Sequence, residues 1–226
     1  AESIDAAGNI SHQSEELVVT IDRTAPTGTV PGLAATSDTG LAGDHVTSIN
    51  QPAFVGRAEA NAKVRVYADG VLVGEGFVNS DESDGQVGDG LGLWEITVEP
   101  LADGTYDITT EVEDLAGNIS ESLEASLVIT IDTVSPQRPT MDLVAAHDTG
   151  ASNLDNVTLR ANPVQFIVTA DVGTTVHVKD GNTIRVTYVS TGVDTVSLTL
   201  AEGTHLVSAE SIDAAGNISH QSEELV

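Results

Sequence analysis

The chain has no cysteine. No disulfide can staple it, so if it is secreted, some other device must hold its parts together. The six histidines are scattered in unlike contexts, and without thiolate partners they do not suggest a zinc centre. Aromatics are scarce: three Phe, three Tyr and one Trp. A core must therefore be filled by Val, Ile, Leu and Thr, and the aromatic sugar platforms of a carboxylate-based glycosidase are missing. Basic residues number 8 against 35 acidic ones, for a formal charge of −27. Nucleic acid and anionic membrane are excluded as partners, because both require a basic face. Such a surplus repels itself unless cations neutralise it. Plain solubility or adaptation to salt would explain scattered acids, but these acids cluster. No apolar run approaches the roughly 20 residues of a membrane span, and no signal peptide is visible. Gly-x-Ser-x-Gly and phosphate-loop patterns are absent too, so a non-enzyme is expected.

What the chain does have is repetition. Ala1–Val18 and Ala209–Val226 match letter for letter. Within them lies Asp5-Ala-Ala-Gly-Asn9, repeated as Asp213-Ala-Ala-Gly-Asn217 and, with one change, as Asp114-Leu-Ala-Gly-Asn118. Ile21-Asp22-Arg-Thr-Ala-Pro26 returns as Ile131-Asp132-Thr-Val-Ser-Pro136, and Asp38-Thr39-Gly40 returns as Asp148-Thr149-Gly150. Steps close to a hundred residues are too long for solenoid repeats or propeller blades and suit whole domains in tandem. The sequence reads as a window on such an array. Residues 1–21 are expected to be the tail of a preceding domain, 22–131 one domain with an acidic insertion at 79–90, and 132–226 a second domain lacking part of its last strand.

Short alternating runs predict an all-β fold. Tyr106, Ile108, Thr110 and Val112 alternate with polar residues, the period-2 signature of a half-buried antiparallel strand. Val64 and Val66 alternate likewise up to Asp69-Gly70, a hairpin turn signal. Val176 and Val178 repeat this before Asp180-Gly181. Seven or so strands per unit predict an immunoglobulin-like sandwich. In the first unit they are placed near 27–33, 52–58, 63–68, 71–77, 93–98, 105–113 and 121–131. Tyr106, just after a turn, is positioned for a tyrosine corner; His205 stands in its place in the second unit, so that bond is expected to be missing or altered there. Trp94 falls on the fifth strand and no cysteine pair exists, which excludes antibody-type domains.

The three motifs in register, Asp-x-Ala-Gly-Asn, Ile-Asp-x-x-x-Pro and Asp-Thr-Gly, resemble the bacterial Ig-like repeats of giant adhesins exported by type I secretion, of the biofilm-associated-protein kind. The resemblance implies a long extracellular stalk, Ca²⁺ at or near domain junctions, and attachment to host cells or biofilm. Calcium takes six to eight hard oxygens, which Asp and Asn interleaved with Gly supply on a chain that bends readily. In such a sandwich the last hairpin lies where the first strand enters, so Asp114 should face Asp22, and Asp213 should face Asp132. The first loop, with Asp38 and Asp44, should approach Asp132 from the other side. Asp5 occupies the motif in the leading segment, and Asp148 and Asp155 occupy the first loop of the second unit. Asp81, Asp84 and Asp89 form a further acidic loop whose spacing is not that of an EF-hand. The alternative for the Asp-x-Ala-Gly-Asn motif is a structural hairpin in which the aspartate caps the loop backbone.

The expected function is a calcium-stiffened stalk segment on the bacterial surface, its partners being neighbouring Ig-like repeats and, through a distal tip, a host-cell or biofilm-matrix ligand. A glycan- or protein-binding module seeded by Trp94, Tyr67 or Tyr188 is one alternative, and a subunit of an extracellular filament is another.

Overall fold

Alternation over 63–68 puts Val64, Val66 and Ala68 on one face, where all three are buried. Asp69 and Gly70, both at positive φ, turn the chain back into the next strand. In the computed structural model every regular element among the described residues is a β-strand. The structure describes residues 1–81, 85, 88–120, 126–152, 155–159, 162–223 and 225.

The first sandwich contains β1 (Gly32–Leu33), β2 (Val46–Thr47), β3 (Ala53–Glu59), β4 (Lys63–Ala68), β5 (Val71–Phe77), β6 (Leu91–Thr97), β7 (Gly104–Glu113), β8 (Ile119–Ser120) and β9 (Leu127–Ile131). One sheet runs β1-β3-β6; the facing sheet runs β2-β9-β7-β4-β5, with β8 also on β7. Between them lie Phe54, Val64, Val66, Trp94, Ile96, Ile108, Ile129 and Ile131. The second sandwich contains β10 (Thr140–Leu143), β11 (Val164–Thr169), β12 (Thr175–Asp180), β13 (Thr183–Val189), β14 (Val193–Leu198) and β15 (Val207–Ile212). Its sheets, β10-β11-β14 and β13-β12-β15, enclose Met141, Phe166, Val168, Val176, Val178 and Leu198. Both units are immunoglobulin-like sandwiches.

Two expected strands differ from their predicted spans. The first contracts to Gly32–Leu33 plus a bridge from Gly28 to Ala58. The last divides: Ile119–Ser120 pairs with the end of β7 and Leu127–Ile131 with its beginning, while 121–125 lie outside the described residues. Trp94 is buried where the backbone of β3 comes close. A Cβ at Gly56 would stand 2.5 Å from the indole, so only glycine fits there. The tyrosine corner is present: Tyr106 Oη donates to Ala102 O at 3.0 Å. His205 reproduces it in the second domain, with Nε2 3.0 Å from Ala201 O and Nδ1 3.0 Å from Asp180 Oδ2.

Candidate functional site at the domain junction

Each Asp-x-Ala-Gly-Asn segment closes a hairpin around its own aspartate. Asp114 Oδ1 accepts from the backbone N–H groups of Ala116 and Asn118, both at 2.8 Å, and Oδ2 accepts from Asn118 Nδ2 at 2.7 Å. Asp5 and Asp213 repeat the pattern with Asn9 and Asn217. Gly117 turns the loop at φ +87°, and Gly8 and Gly216 do the same in the other two copies. The side-chain bond from Asn118, helped by backbone N–H groups, holds the Asp114 carboxyl below its ordinary range. Asn9 does the same for Asp5. The hairpin reading of the motif therefore holds: in each copy the aspartate caps the loop backbone.

The hairpin of the second domain meets the first domain. Thr39 Oγ1 donates to Ala215 O at 2.6 Å, and the Leu41 N–H lies 3.4 Å from Ala214 O. Gly40 sits between them at φ +72°, so close that a Cβ would fall 2.0 Å from Ala214 O. Asn217 Nδ2 also donates to Asp132 O at 2.8 Å, joining the hairpin to the linker. The Asp213 motif thus faces Asp132 as topology requires, but the contact is amide to backbone carbonyl. Asp132 turns its own carboxylate to the Val134 N–H at 3.0 Å. The linker is held from both sides. Asp132 N–H donates to Thr47 O and Thr133 to Asp103 on one side, while Gln137 N–H donates to Asp171 Oδ2 and Arg138 Nε to Gln221 O on the other.

Among the described residues, the first loop of each domain buries a carboxylate oxygen that no donor reaches. Asp38 Oδ2 accepts from the Gly43 N–H, but its Oδ1 is buried without a donor. Asp148, at the same loop position in the second domain and only 8% exposed, also has a buried Oδ1 without a donor. Asn156 Oδ1 in that loop is a third such oxygen. A buried anionic oxygen with nothing donating to it is costly. Asp44 and Asp155 cap their own loops, accepting from the N–H groups of Val46 and Val157.

At the entrance to the first domain stands a carboxylate that sequence reasoning missed. Burial, then the charges of Asp114 and Asp22, push the Glu59 carboxyl above its ordinary range. Three chain segments thus bring negative charge together there, although Asp22 also caps its own turn through the Thr24 N–H. Asp171 takes the place of Glu59 in the second domain. In each case the backbone carbonyl accepts the N–H three residues on, Ala62 or Thr174, at the turn that follows β3 or β11. An acidic residue recurring at that turn is the signal that could have pointed to it.

In the acidic insertion, Asp81 accepts from the Gly88 and Gly90 N–H groups, and Asp89 pairs with Arg57 at 2.7 Å. Asp84 lies outside the described residues. Among the described residues no three carboxylate or imidazole side chains are drawn together tightly enough to form a finished metal cage. The donor chemistry nonetheless suits a hard cation: among the described residues, the carboxylate oxygens Asp38 Oδ1 and Asp148 Oδ1 and the amide oxygen Asn156 Oδ1 are buried without a donor.

A family profile described as "Bacterial Ig-like domain" matches residues 24–133 and again 135–226. Among solved structures, the chain is similar to one titled "Biofilm associated protein - BSP domain", at 18% identity and TM-score 0.29, covering 89% of this chain and 28% of that one. It is also similar to the fibronectin(III)-like modules of Clostridium thermocellum CbhA, at 15% identity and TM-score 0.47, covering 85% of this chain and 90% of that one. No curated protein matches the sequence.

Proposed function

The chain belongs to the bacterial Ig-like domain family, and from that premise we propose that it is a segment of the repetitive stalk of a large bacterial surface or secreted adhesin, stiffened at its junctions by Ca²⁺. The role is mechanical: to hold neighbouring domains in a fixed relation so that the array projects a distal tip toward a host cell or biofilm matrix. The observation that carries the calcium reading is the buried, donorless Oδ1 found at the same loop position in both domains, Asp38 and Asp148. A divalent ion supplies the positive charge those oxygens lack. Its binding to folded geometry adds to stability and rigidity. Asp38, Asp44, Asp132 and Asp213 would serve the central junction; Asp22, Glu59 and Asp114 would serve the entrance to the first domain.

The charge of −27 supports the same reading, since self-repulsion is relieved by bound cations. Extracellular calcium modules work at about 10⁻⁴–10⁻³ M. The sites would therefore fill outside the cell and stay empty inside, leaving the chain loose for export. The glycan-binding alternative draws less support, because Trp94 is buried and the Tyr188 hydroxyl is enclosed.

The test is a calcium titration followed by calorimetry and small-angle scattering, on the parent chain and on Asp38→Asn and Asp132→Ala. Calcium should raise the melting temperature and narrow the interdomain distribution, with weaker effects in both variants. A chain whose melting and dimensions are the same in calcium and in chelator would overturn the proposal.

A further inference from the structure

Among the described residues one strand pair is parallel, and it lies beside the domain junction. β2 runs alongside β9 in the same direction, Val46 opposite Thr130 and Thr47 opposite Ile131, whereas every other described pairing is antiparallel. Two backbone bonds cross it: the Thr130 N–H donates to His45 O and the Asp132 N–H to Thr47 O, both at 2.9 Å. β9 leads straight into the linker at Asp132, while β2 is reached from the entrance of the domain through β1 and residues 34–45. Tension along the chain therefore draws β2 one way and β9 the other along their common axis. In that geometry the bonds across the pair are loaded together, not broken one after another as when a strand is peeled from an edge. The pair is short, so its hold depends on what anchors β2.

The anchor of β2 reaches across the junction. The Thr39 hydroxyl accepts from the Ser48 N–H, directly after β2, at 2.8 Å, and the hydroxyls of Thr47 and Ser48 lie 3.3 and 3.1 Å from it. The same hydroxyl gives its one proton to Ala215 O of the second domain at 2.6 Å. Thr47 and Ala215 are both fully buried. Next to this bond the two domains meet backbone to backbone. A Cβ on Gly40 would stand 2.7 Å from Gly216 N, and one on Gly216 would stand 2.7 Å from Gly40 N. Within the loop itself the Val46 N–H bonds to Asp44 Oδ1 at 2.9 Å. One oxygen atom thus joins the hairpin of the second domain to the strand pair that carries load in the first.

We propose that the docked hairpin 213–217 is a latch on the β2–β9 pair: while the second domain is docked the first resists tension, and once it undocks β2 slides free of β9 sooner. The coupling runs through Thr39. Undocking removes the acceptor of its hydroxyl and the backbone packing of Gly40, so residues 34–45 regain conformational freedom and their hold on β2 weakens. Forced unfolding is governed by the unfolding rate, so the coupling is read there. Linkage makes it reciprocal: drawing β2 off β9 must also favour undocking. The latch consists of hydroxyl, amide and carbonyl groups. It needs no metal ion and stands apart from the calcium reading.

The test is constant-force unfolding of the full chain with handles on Arg23→Cys and Val134→Cys, both at exposed positions and with no competing thiol. Tension then crosses the first domain alone, while the second is unloaded. Ala215→Leu changes only the second domain but overfills a fully buried position in the joint. It should speed unfolding of the first domain about fivefold or more, the equivalent of one lost hydrogen bond. Ala214→Leu is the control, because that side chain is exposed, and it should leave the rate unchanged. Handles on Leu72→Cys and Leu93→Cys load β5 and β6 instead, and with them Ala215→Leu should have no effect. These results are expected in calcium and in chelator alike. Parent and Ala215→Leu unfolding at one rate under the first pair of handles would overturn the proposal. Equal acceleration under both pairs would do so too, because it would mark a general stabilisation and not a latch on β2 and β9.

Discussion

Replacing Gly40 with alanine tests whether the two domains are docked by the contact described above. The added Cβ would sit 2.0 Å from Ala214 O, where ordinary contact begins at 3.4 Å. Backbone faces backbone, so no side chain can rotate away, and the loop and hairpin must part by about the difference. The Thr39–Ala215 hydrogen bond, now 2.6 Å, would then exceed bonding distance, and so would the weaker Leu41–Ala214 contact. Losing the former costs about 1 kcal/mol, a shift of roughly fivefold in the docked-to-undocked ratio, and the backbone clash itself adds to it. The strain of alanine at positive φ, about 1–2 kcal/mol, is carried by docked and undocked loops alike and by the control, so it does not enter the ratio. Gly43→Ala is the control, because Gly43 has a similar φ of +89° but an added methyl there would meet nothing within 4 Å. The absence of cysteine allows spin labels at Val71→Cys and Ile184→Cys, both exposed, without a competing thiol. The interdomain distance distribution should be narrow in the parent and in Gly43→Ala, and broad in Gly40→Ala. A Gly40→Ala distribution as narrow as the parent's, or equal broadening in the control, would refute the docking argument.

Glu59→Gln should raise the melting temperature in chelator at neutral pH. A carboxyl whose folded value is raised loses stability as pH rises through that value, so the gain should vanish below the ordinary glutamate range. Asn118→Ala should act in the opposite sense. The depressed Asp114 stabilises above the ordinary carboxylate range and loses that effect as pH falls through its folded value, so the deficit measured by thermal melting should be largest near neutrality and narrow in acid. Tyr188→Phe should be neutral or stabilising by up to about 1 kcal/mol in denaturant titration, because the hydroxyl is buried without a partner. Burial, and then Asp194, push that phenol up to about 12, so Tyr188 should remain mostly protonated in a titration to about pH 11, where an ordinary tyrosine is mostly ionised. Tyr106→Phe should cost about 1 kcal/mol by loss of the bond to Ala102 O.

The sequence by itself determined what depends on local pattern. Period-2 alternation set β4 to the residue, because apolar side chains on one face of a pleat are recorded directly in the order of letters, and the Asp69-Gly70 turn signal set the start of β5. The recurring motifs set the tandem plan, and Tyr106 after its turn foretold the corner bond. What only the tertiary structure decided depends on residues far apart in the chain. Whether Asp114 and Asp213 cap their own hairpins or reach across to a linker is a matter of rotamer and partner, and the letters are the same in either case. Glu59 entered the acidic neighbourhood of Asp22 and Asp114 only once three segments had been folded together. The division of the last strand of the first domain, into Ile119–Ser120 and Leu127–Ile131, follows from which part of β7 each piece pairs with, and that pairing exists only once the sheet has been brought together in space.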